Sequence, residues 1–315
     1  MTTLAGLSLR DLEYVVAVAD LGSFVRAAEH CNVSQPSLSA QVRKIEAWLG
    51  RPVFERTTRR VFETAAGELF IQQARRVLSE ARMLRTVAEA ADRPFGGTLR
   101  LSAISTLGPY LFPKILSDLR VAYPELTLVL GEGLTDPLLA RLRNGELDAV
   151  LVSDFNSDPA LSFAPIFREP FLMACPDGHS VTLTAEDAWK SLPSSERLLL
   201  EDGHCLRDQA LAACADVGKR DRHGTSLETL KYMVAAGEGC TLMPALAAEQ
   251  GAGIRYLPLP ETGFTRTIGL AWRNSDGRAG QFQQLSETLR SFATRIAGLR
   301  EARFVPPPSA LVAAG

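Results

Sequence analysis

Apolar positions in the first fifty residues recur at helical spacing and are interrupted by short polar breaks. Leu9–Ala19 (LRDLEYVVAVA) predicts one helix. Gly22-Ser23 breaks it, and Ser23 is placed to cap a second helix through Phe24-Val25-Arg26-Ala27-Ala28-Glu29. After the turn Cys31-Asn32-Val33, Ser34 can cap a third helix. Pro36 falls in its first turn, where a missing N–H costs no bond, and Gly50 can stop it. Leu38, Val42, Ile45 and Leu49 share one face of that helix, which is core spacing. The opposite face carries Pro36, Ala40, Arg43 and Ala47, flanked by Ser37, Ser39 and Lys44. Small and hydroxyl side chains let a helix approach base edges, while Arg and Lys reach bases or phosphates. Two helices joined by a tight turn, the second small and polar at its start, predict a helix-turn-helix. Val53-Phe54-Glu55-Arg56, Thr57-Thr58-Arg59-Arg60 and Val61-Phe62-Glu63-Thr64 then predict a hairpin with a basic tip, a wing for the phosphate backbone. Spacing alone equally fits an ordinary three-helix domain with a charged loop.

Thr64 can cap a long helix running to about Ala91. Phe70, Val77, Leu84 and Ala91 recur every seven residues, with Ala74, Ala81 and Ala88 interleaved, which is the pattern of a slim coiled-coil seam. A helix lying on its own domain is the alternative. Asp92-Arg93-Pro94-Phe95-Gly96-Gly97 marks a hinge. Beyond it the periodicity alternates. Strands are expected at Thr98–Ile104, Leu126–Leu130 and Leu147–Val152, and helices about Leu116–Val121 and Pro137–Arg143. Later strands are expected at Arg197–Leu200, Cys240–Met243, Arg255–Leu259 and Thr267–Trp272, with helices at Ser226–Ala236 and Gln281–Ala297. This predicts an α/β domain with parallel sheet, built as two lobes between which the chain crosses near 165–170 and again near 265. The expected organisation is a DNA-binding head over 1–65, a linker helix over 66–95, a two-lobed sensing domain over 96–303 and a disordered tail over 304–315.

Composition narrows the class. The chain has 315 residues and a net charge of −2, so bulk charge points to neither nucleic acid nor membrane. Between Arg43 and Arg60, however, six cations face only Glu46 and Glu55. No apolar run approaches a membrane span, and Arg10, Asp11 and Glu13 interrupt any leader, so a cytoplasmic setting without membrane contact is expected. Five cysteines in a chain of this length are not a disulfide scaffold.

Two of the five carry the candidate chemistry. Cys205 and Cys214 lie nine positions apart in a segment that otherwise reads as helix. On a helix they would be about 13 Å apart along the axis, whereas a disulfide needs Cα atoms roughly 4.4–6.8 Å apart. The helix and the bond exclude one another, as a redox switch requires. Cys205 falls near a helix start, where N–H groups and the dipole favour a thiolate. His204, Arg207 and Arg273 can add to this, and Glu201, Asp202 and Asp208 oppose it. Ligands in open sheets bind beyond the carboxyl ends of strands. Thr106, Thr135, His204-Cys205 and Arg273 all fall just after predicted strands. Each also has a plain explanation: helix cap for the threonines, packing for His204, surface charge for Arg273.

The wording of these segments is specific. Gly22-Ser23-Phe24, Ala27-Ala28, Val33-Ser34-Gln35-Pro36-Ser37-Leu38-Ser39 and Phe54-Glu55-Arg56 closely resemble the winged helix-turn-helix of LysR-type transcriptional regulators. Leu200 to Ala210 with Cys214, then Thr225 to Leu230, and Ser105-Thr106-Leu107-Gly108-Pro109-Tyr110 resemble the hydrogen-peroxide-sensing members of that family, over about residues 8–295. The resemblance implies a periplasmic-binding-protein-like sensing domain and a DNA surface of Ser34, Gln35, Pro36, Ser37, Ser39, Arg43, Lys44, Arg56 and Arg59. It implies Cys205 as the peroxidatic thiol, Cys214 as the resolving thiol, and Thr106, Thr135, His204, Asp208 and Arg273 as pocket residues. It further implies promoter DNA, RNA polymerase and three more copies of the chain as partners, with no cofactor or metal and no enzymatic turnover. Rival readings are a regulator of this fold answering to a small organic anion, a metal sensor using His204, Cys205, Cys214 and His223, and a peroxide-consuming enzyme. Cys175 and Cys240 lie outside the motif and are candidate partners for other disulfides.

Overall fold

A computed structural model describes residues 7–56, 61–90, 97–155, 158–179, 185–212, 222–249, 253–260, 263–296 and 299–301. Contacts divide the chain into two compact units, Met1–Ala91 with Arg143–Glu146, and Asp92–Leu142 with Leu147–Gly315.

The first unit opens with α1 (Leu9–Leu21), α2 (Phe24–His30) and α3 (Gln35–Leu49). Short side chains fix where each begins. Ser8 forms a reciprocal capping box with Asp11, Ser23 accepts from Arg26 N, and Ser34 accepts from Ser37 N. Gly22 and Gly50 end α1 and α3 in the left-handed conformation. The hairpin β1 (Phe54–Arg56) and β2 (Val61–Glu63) is antiparallel, with Phe54 opposite Glu63. Glu46 ties the wing to α3, its Oε1 accepting from Val53 N at 3.0 Å and Phe54 N at 3.2 Å. Phe24 meets Phe54 edge-on at 5.9 Å, within a core that includes Val15, Leu38, Val42 and Ile45.

Thr64 caps α4 (Ala65–Ala90) by accepting from Gly67 N. The seven-residue repeat divides here. Ala74 is buried with Leu12 and Leu78 in the unit's own core, not in an outward seam, because α4 lies along α1. Leu69, Val77 and Leu84 remain outside, 70%, 39% and 76% exposed. Ala91 and the hinge at 92–96 lie outside the described residues, as does the tail at 304–315.

The second unit has two hydrophobic cores. In the first lobe β3 (Gly97–Ile104), α5 (Gly108–Ala122), β4 (Leu126–Gly133), α6 (Thr135–Arg143) and β5 (Ala149–Ser153) alternate, and β3 lies parallel to both β4 and β5. Next comes β6 (Leu161–Pro176), a sixteen-residue strand whose first half belongs to the first core and whose second half, from Phe171, belongs to the second. The second lobe holds α7 (Ala185–Ser191), β7 (Leu198–Leu200), α8 (Cys205–Ala212), β8 (Arg222–Gly224), α9 (Leu227–Ala235), β9 (Thr241–Pro244) and β10 (Ile254–Pro258). The chain returns through β11 (Thr265–Arg273), then α10 (Ala279–Ala293) and the short β12 (Arg300–Glu301). The order β10-β6-β11-β5-β3-β4 makes one sheet of both lobes.

The expected parallel sheet is found at β3, β4 and β5, and again at β7 and β8. The strands separated by helices are parallel, but β6 and β11, which carry the chain across, run antiparallel to each other, and β11 runs antiparallel to β5.

Candidate functional sites: a helix face and a thiol cleft

On α3, Ser34, Gln35, Pro36, Ser37, Ala40, Arg43 and Lys44 are exposed together. Ser39 is not. It is 5% exposed, on the core side between Leu38 and Val42, and its Oγ accepts from Gln35 Nε2 at 3.0 Å. The expectation of a DNA contact at Ser39 is therefore corrected: it can act on DNA only by orienting Gln35. Arg59 and the wing tip at 57–60 lie outside the described residues. Arg56 is the last residue of β1, opposite Val61.

The thiol site of the second unit is built by turns. Thr106 follows β3, and its hydroxyl accepts from Arg266 Nη1 at 2.8 Å while its carbonyl accepts from Nη2 at 3.0 Å. Thr106 thus caps no helix. Thr135 opens α6 with its hydroxyl buried and without a hydrogen-bond partner among the described residues. Cys205 is the first residue of α8, free and half-buried, with its side chain against the first lobe's core. Gly203, at φ +92°, makes the turn before it, and a Cβ there would come within 3.1 Å of Leu134 Cδ1, beside Thr135.

His204 Nδ1 lies 3.3 Å from Ser105 Oγ, joining the α8 turn to the β3 turn. Burial pushes the His204 imidazole below its ordinary range, against a smaller opposing effect of Glu201. That direction favours the neutral imidazole, a hydrogen-bonding group, over the positive charge that would add to the helix dipole. Arg207 is also engaged elsewhere, donating to Leu200 O, to His223 Nδ1 and to Asp202. Asp208 is exposed on the first turn of α8. Gln209 donates to Ser153 Oγ at 2.9 Å and to Asp154, fixing α8 to the end of β5. Cys214 lies outside the described residues.

Arg273 does not join this cluster. Its guanidinium donates to Leu142 O, Leu147 O and Asp276, in a buried charge group with Arg278 and Asp148. The carboxyl-end rule applies to parallel strands, and β11 is antiparallel. Trp272 therefore stands opposite Ala149 at the start of β5, while Ile268 stands opposite Ser153 at its end. The arginine that reaches Thr106 is Arg266, from the beginning of β11. It is 0% exposed and directly opposite Glu169 of β6, whose Oε2 accepts from its Nε at 2.8 Å. Glu169 Oε1 accepts from Leu246 N. This pair sits where both connecting strands pass between the lobes. Its one signal in the sequence is a charge at the head of the apolar run TRTIGLAWR.

A second contact between the lobes was not anticipated. Tyr110 of α5 donates to Glu228 of α9 at 2.9 Å, and Lys231 bonds Glu228 at 2.8 Å. Among the described residues no three His, Cys, Asp or Glu side chains gather as a metal would need, and His223 Nδ1 is committed to Arg207.

A winged helix-turn-helix unit followed by a two-lobed α/β unit defines a class. The bacterial regulatory helix-turn-helix model of the lysR family matches residues 9–68, and the LysR substrate binding domain model matches residues 92–294. The chain belongs to the LysR family of bacterial DNA-binding regulators. Within it, the DNA-binding transcriptional dual regulator OxyR of Escherichia coli K12 is 42% identical over 291 residues, 90% of this chain and 95% of that one. Full-length OxyR of Pseudomonas aeruginosa, in a cysteine-to-aspartate form, superposes with a TM-score of 0.76 at 34% identity, over 95% of this chain and 99% of that one. A cysteine mutant of Corynebacterium glutamicum OxyR with bound hydrogen peroxide gives 0.60 at 32% identity, over 91% and 94%. The chain is an OxyR homologue, and the homologues are regulators, not enzymes.

Proposed function

We propose that this regulator senses hydrogen peroxide at Cys205 and passes the signal to promoter DNA of antioxidant genes by forming a Cys205–Cys214 disulfide. The observation that carries the reading is a free, half-buried cysteine at the first position of α8, in a turn held to the first lobe through His204 and Ser105. Helix N–H groups favour the thiolate there. The thiolate attacks one peroxide oxygen, the O–O bond breaks, and the departing hydroxide takes a proton to become water. His204 and the unpartnered Thr135 hydroxyl are the donors suited to that oxygen. The Cys214 thiol then displaces water from the sulfenic acid. Closing that bond requires α8 to unwind. Asp208 supports a proton-handling role only from the solvent side.

A small organic anion in the same cleft is less well supported. Arg266, the guanidinium at Thr106, has its donors committed to Glu169 and Thr106 and no exposure to solvent.

On the DNA side, the reading head extends over 1–65, and Gln35, Pro36, Ser37, Arg43 and Lys44 face the groove from α3, with Ser34 at its cap; Arg56 and Arg59 are assigned to the same DNA surface on the family resemblance. The exposed Leu69, Val77 and Leu84 stripe of α4 supports pairing with a second copy, and two such dimers make the tetramer that contacts RNA polymerase. Arg43→Ala is expected to weaken operator binding about tenfold or more, measured by gel shift, and to leave peroxide consumption by Cys205 unchanged. Operator binding equal to that of the unaltered chain would remove α3 as the reading helix.

A further inference from the structure

We propose that Cys175 and Cys240 form a second dithiol, which hydrogen peroxide converts to an intrachain disulfide tying β6 to β9. The bond itself does not depend on Cys205 being the sensor; only its order after Cys205 rests on that reading.

The backbone carries the argument. In the β6–β9 ladder Phe171, Leu172, Met173 and Ala174 stand opposite Pro244, Met243, Leu242 and Thr241. The next antiparallel step places Cys175 opposite Cys240. Cys240 N–H donates to Glu196 O at 2.8 Å, and its C=O accepts from Leu198 N at 2.9 Å, so both backbone groups turn away from β6. Cys175 and Cys240 are therefore a non-hydrogen-bonded cross-strand pair. Such pairs bring Cα atoms to about 4.5 Å and put both side chains on one face. That lies within the roughly 4.4–6.8 Å a disulfide spans.

Both thiols are free and fully buried in the second lobe's core. The Cys175 thiol donates weakly to Arg255 O at 3.6 Å. Burial pushes the Cys240 thiol up to about 12, with smaller contributions from Cys175 and Glu196. A thiol held this far from ionisation reacts slowly, so the pair oxidises after Cys205 and at higher peroxide. The step balances: one cysteine takes an oxygen from peroxide as sulfenic acid and releases water, and the second displaces another water. Two thiols lose two hydrogens, and one peroxide is reduced to two waters.

The position gives the bond a consequence. The chain between these cysteines contains α7, β7, α8, β8 and α9, and with them both Cys205 and Cys214. A bond between β6 and β9 would hold the two ends of that segment together while α8 rearranges within it.

The test uses full-length protein carrying Cys205→Ser and Cys214→Ser, which leaves the β6–β9 core intact. The protein is treated with excess hydrogen peroxide, alkylated and mapped by mass spectrometry. The expected product is a Cys175–Cys240 linked peptide, formed at least about tenfold more slowly than Cys205 is oxidised in the unsubstituted chain. It should be accompanied by a rise of several degrees in the melting temperature of the folded protein. Recovery of both cysteines as alkylated thiols would overturn the proposal. So would their separate conversion to sulfinic acids, or a link from either one to Cys31.

Discussion

Cys205→Ser is expected to abolish the peroxide response while leaving the reduced protein's grip on its operator unchanged. Serine is nearly isosteric, so the half-buried position at the head of α8 keeps its packing against the first lobe. What it loses is an ionisable nucleophile. A serine hydroxyl ionises far less readily than a thiol, and its oxygen cannot be carried to a sulfenic acid or a disulfide, so the helix N-terminus that favours a thiolate does not rescue it. Peroxide consumption followed in single-turnover mixing should fall at least about a hundredfold, and transcription from a target promoter should lose its dependence on peroxide. A Cys205→Ser protein that still answers to peroxide would move the sensing thiol elsewhere.

Arg266→Ala is expected to be the most destabilising single change in the two-lobed unit. Arg266 and Glu169 are both 0% exposed and directly opposite one another on the two connecting strands. Removing the guanidinium leaves a buried carboxylate with, among the described residues, only Leu246 N to satisfy it, a loss of about 3–5 kcal/mol. For a unit of this size that corresponds to roughly 10 °C in melting temperature. The same change frees the Thr106 hydroxyl and carbonyl, so the cleft loosens as the fold weakens. A companion variant separates charge from packing. Arg266→Leu with Glu169→Leu removes both charges together and should recover most of the loss, because an apolar pair of similar volume replaces an ion pair at little cost. Equal destabilisation in single and double variants would mean that shape, not the unpaired carboxylate, sets the penalty.

Much of this architecture was legible from local chemistry. Ser23, Ser34 and Thr64 each cap the helix their position suggested, because a cap depends on residues three apart. The crossings near 165–170 and 265 were visible as well. What the sequence concealed depends on tertiary choice. Strand direction is one such choice: Arg273 and Arg266 sit at opposite ends of one strand, and only the antiparallel placement of β11 decides which reaches Thr106. Ser39 is a helix-face ambiguity, since a small hydroxyl beside Leu38 suits either a groove or a core edge, and Gln35 settles it by bonding inward. Ala74 satisfies a heptad and the packing against Leu12 equally well, and the latter is what forms. The length of β6 was hidden by Pro165, Pro170 and Pro176, which in isolation argue against a strand. Opposite Pro165, at Gly269, the register with β11 shifts and takes up that irregularity.

The central claim is that the thiol pair joins only if the helix between its members gives way. Hydrogen exchange of the Cys205–Ala212 amides, measured before and after peroxide on protein whose peptide map shows the Cys205–Cys214 link, tests it directly. The account predicts protected amides in the reduced protein and rapid exchange once the link is present. A linked protein whose α8 amides stay as protected as before would contradict it, as would peroxide-treated protein in which that link never forms.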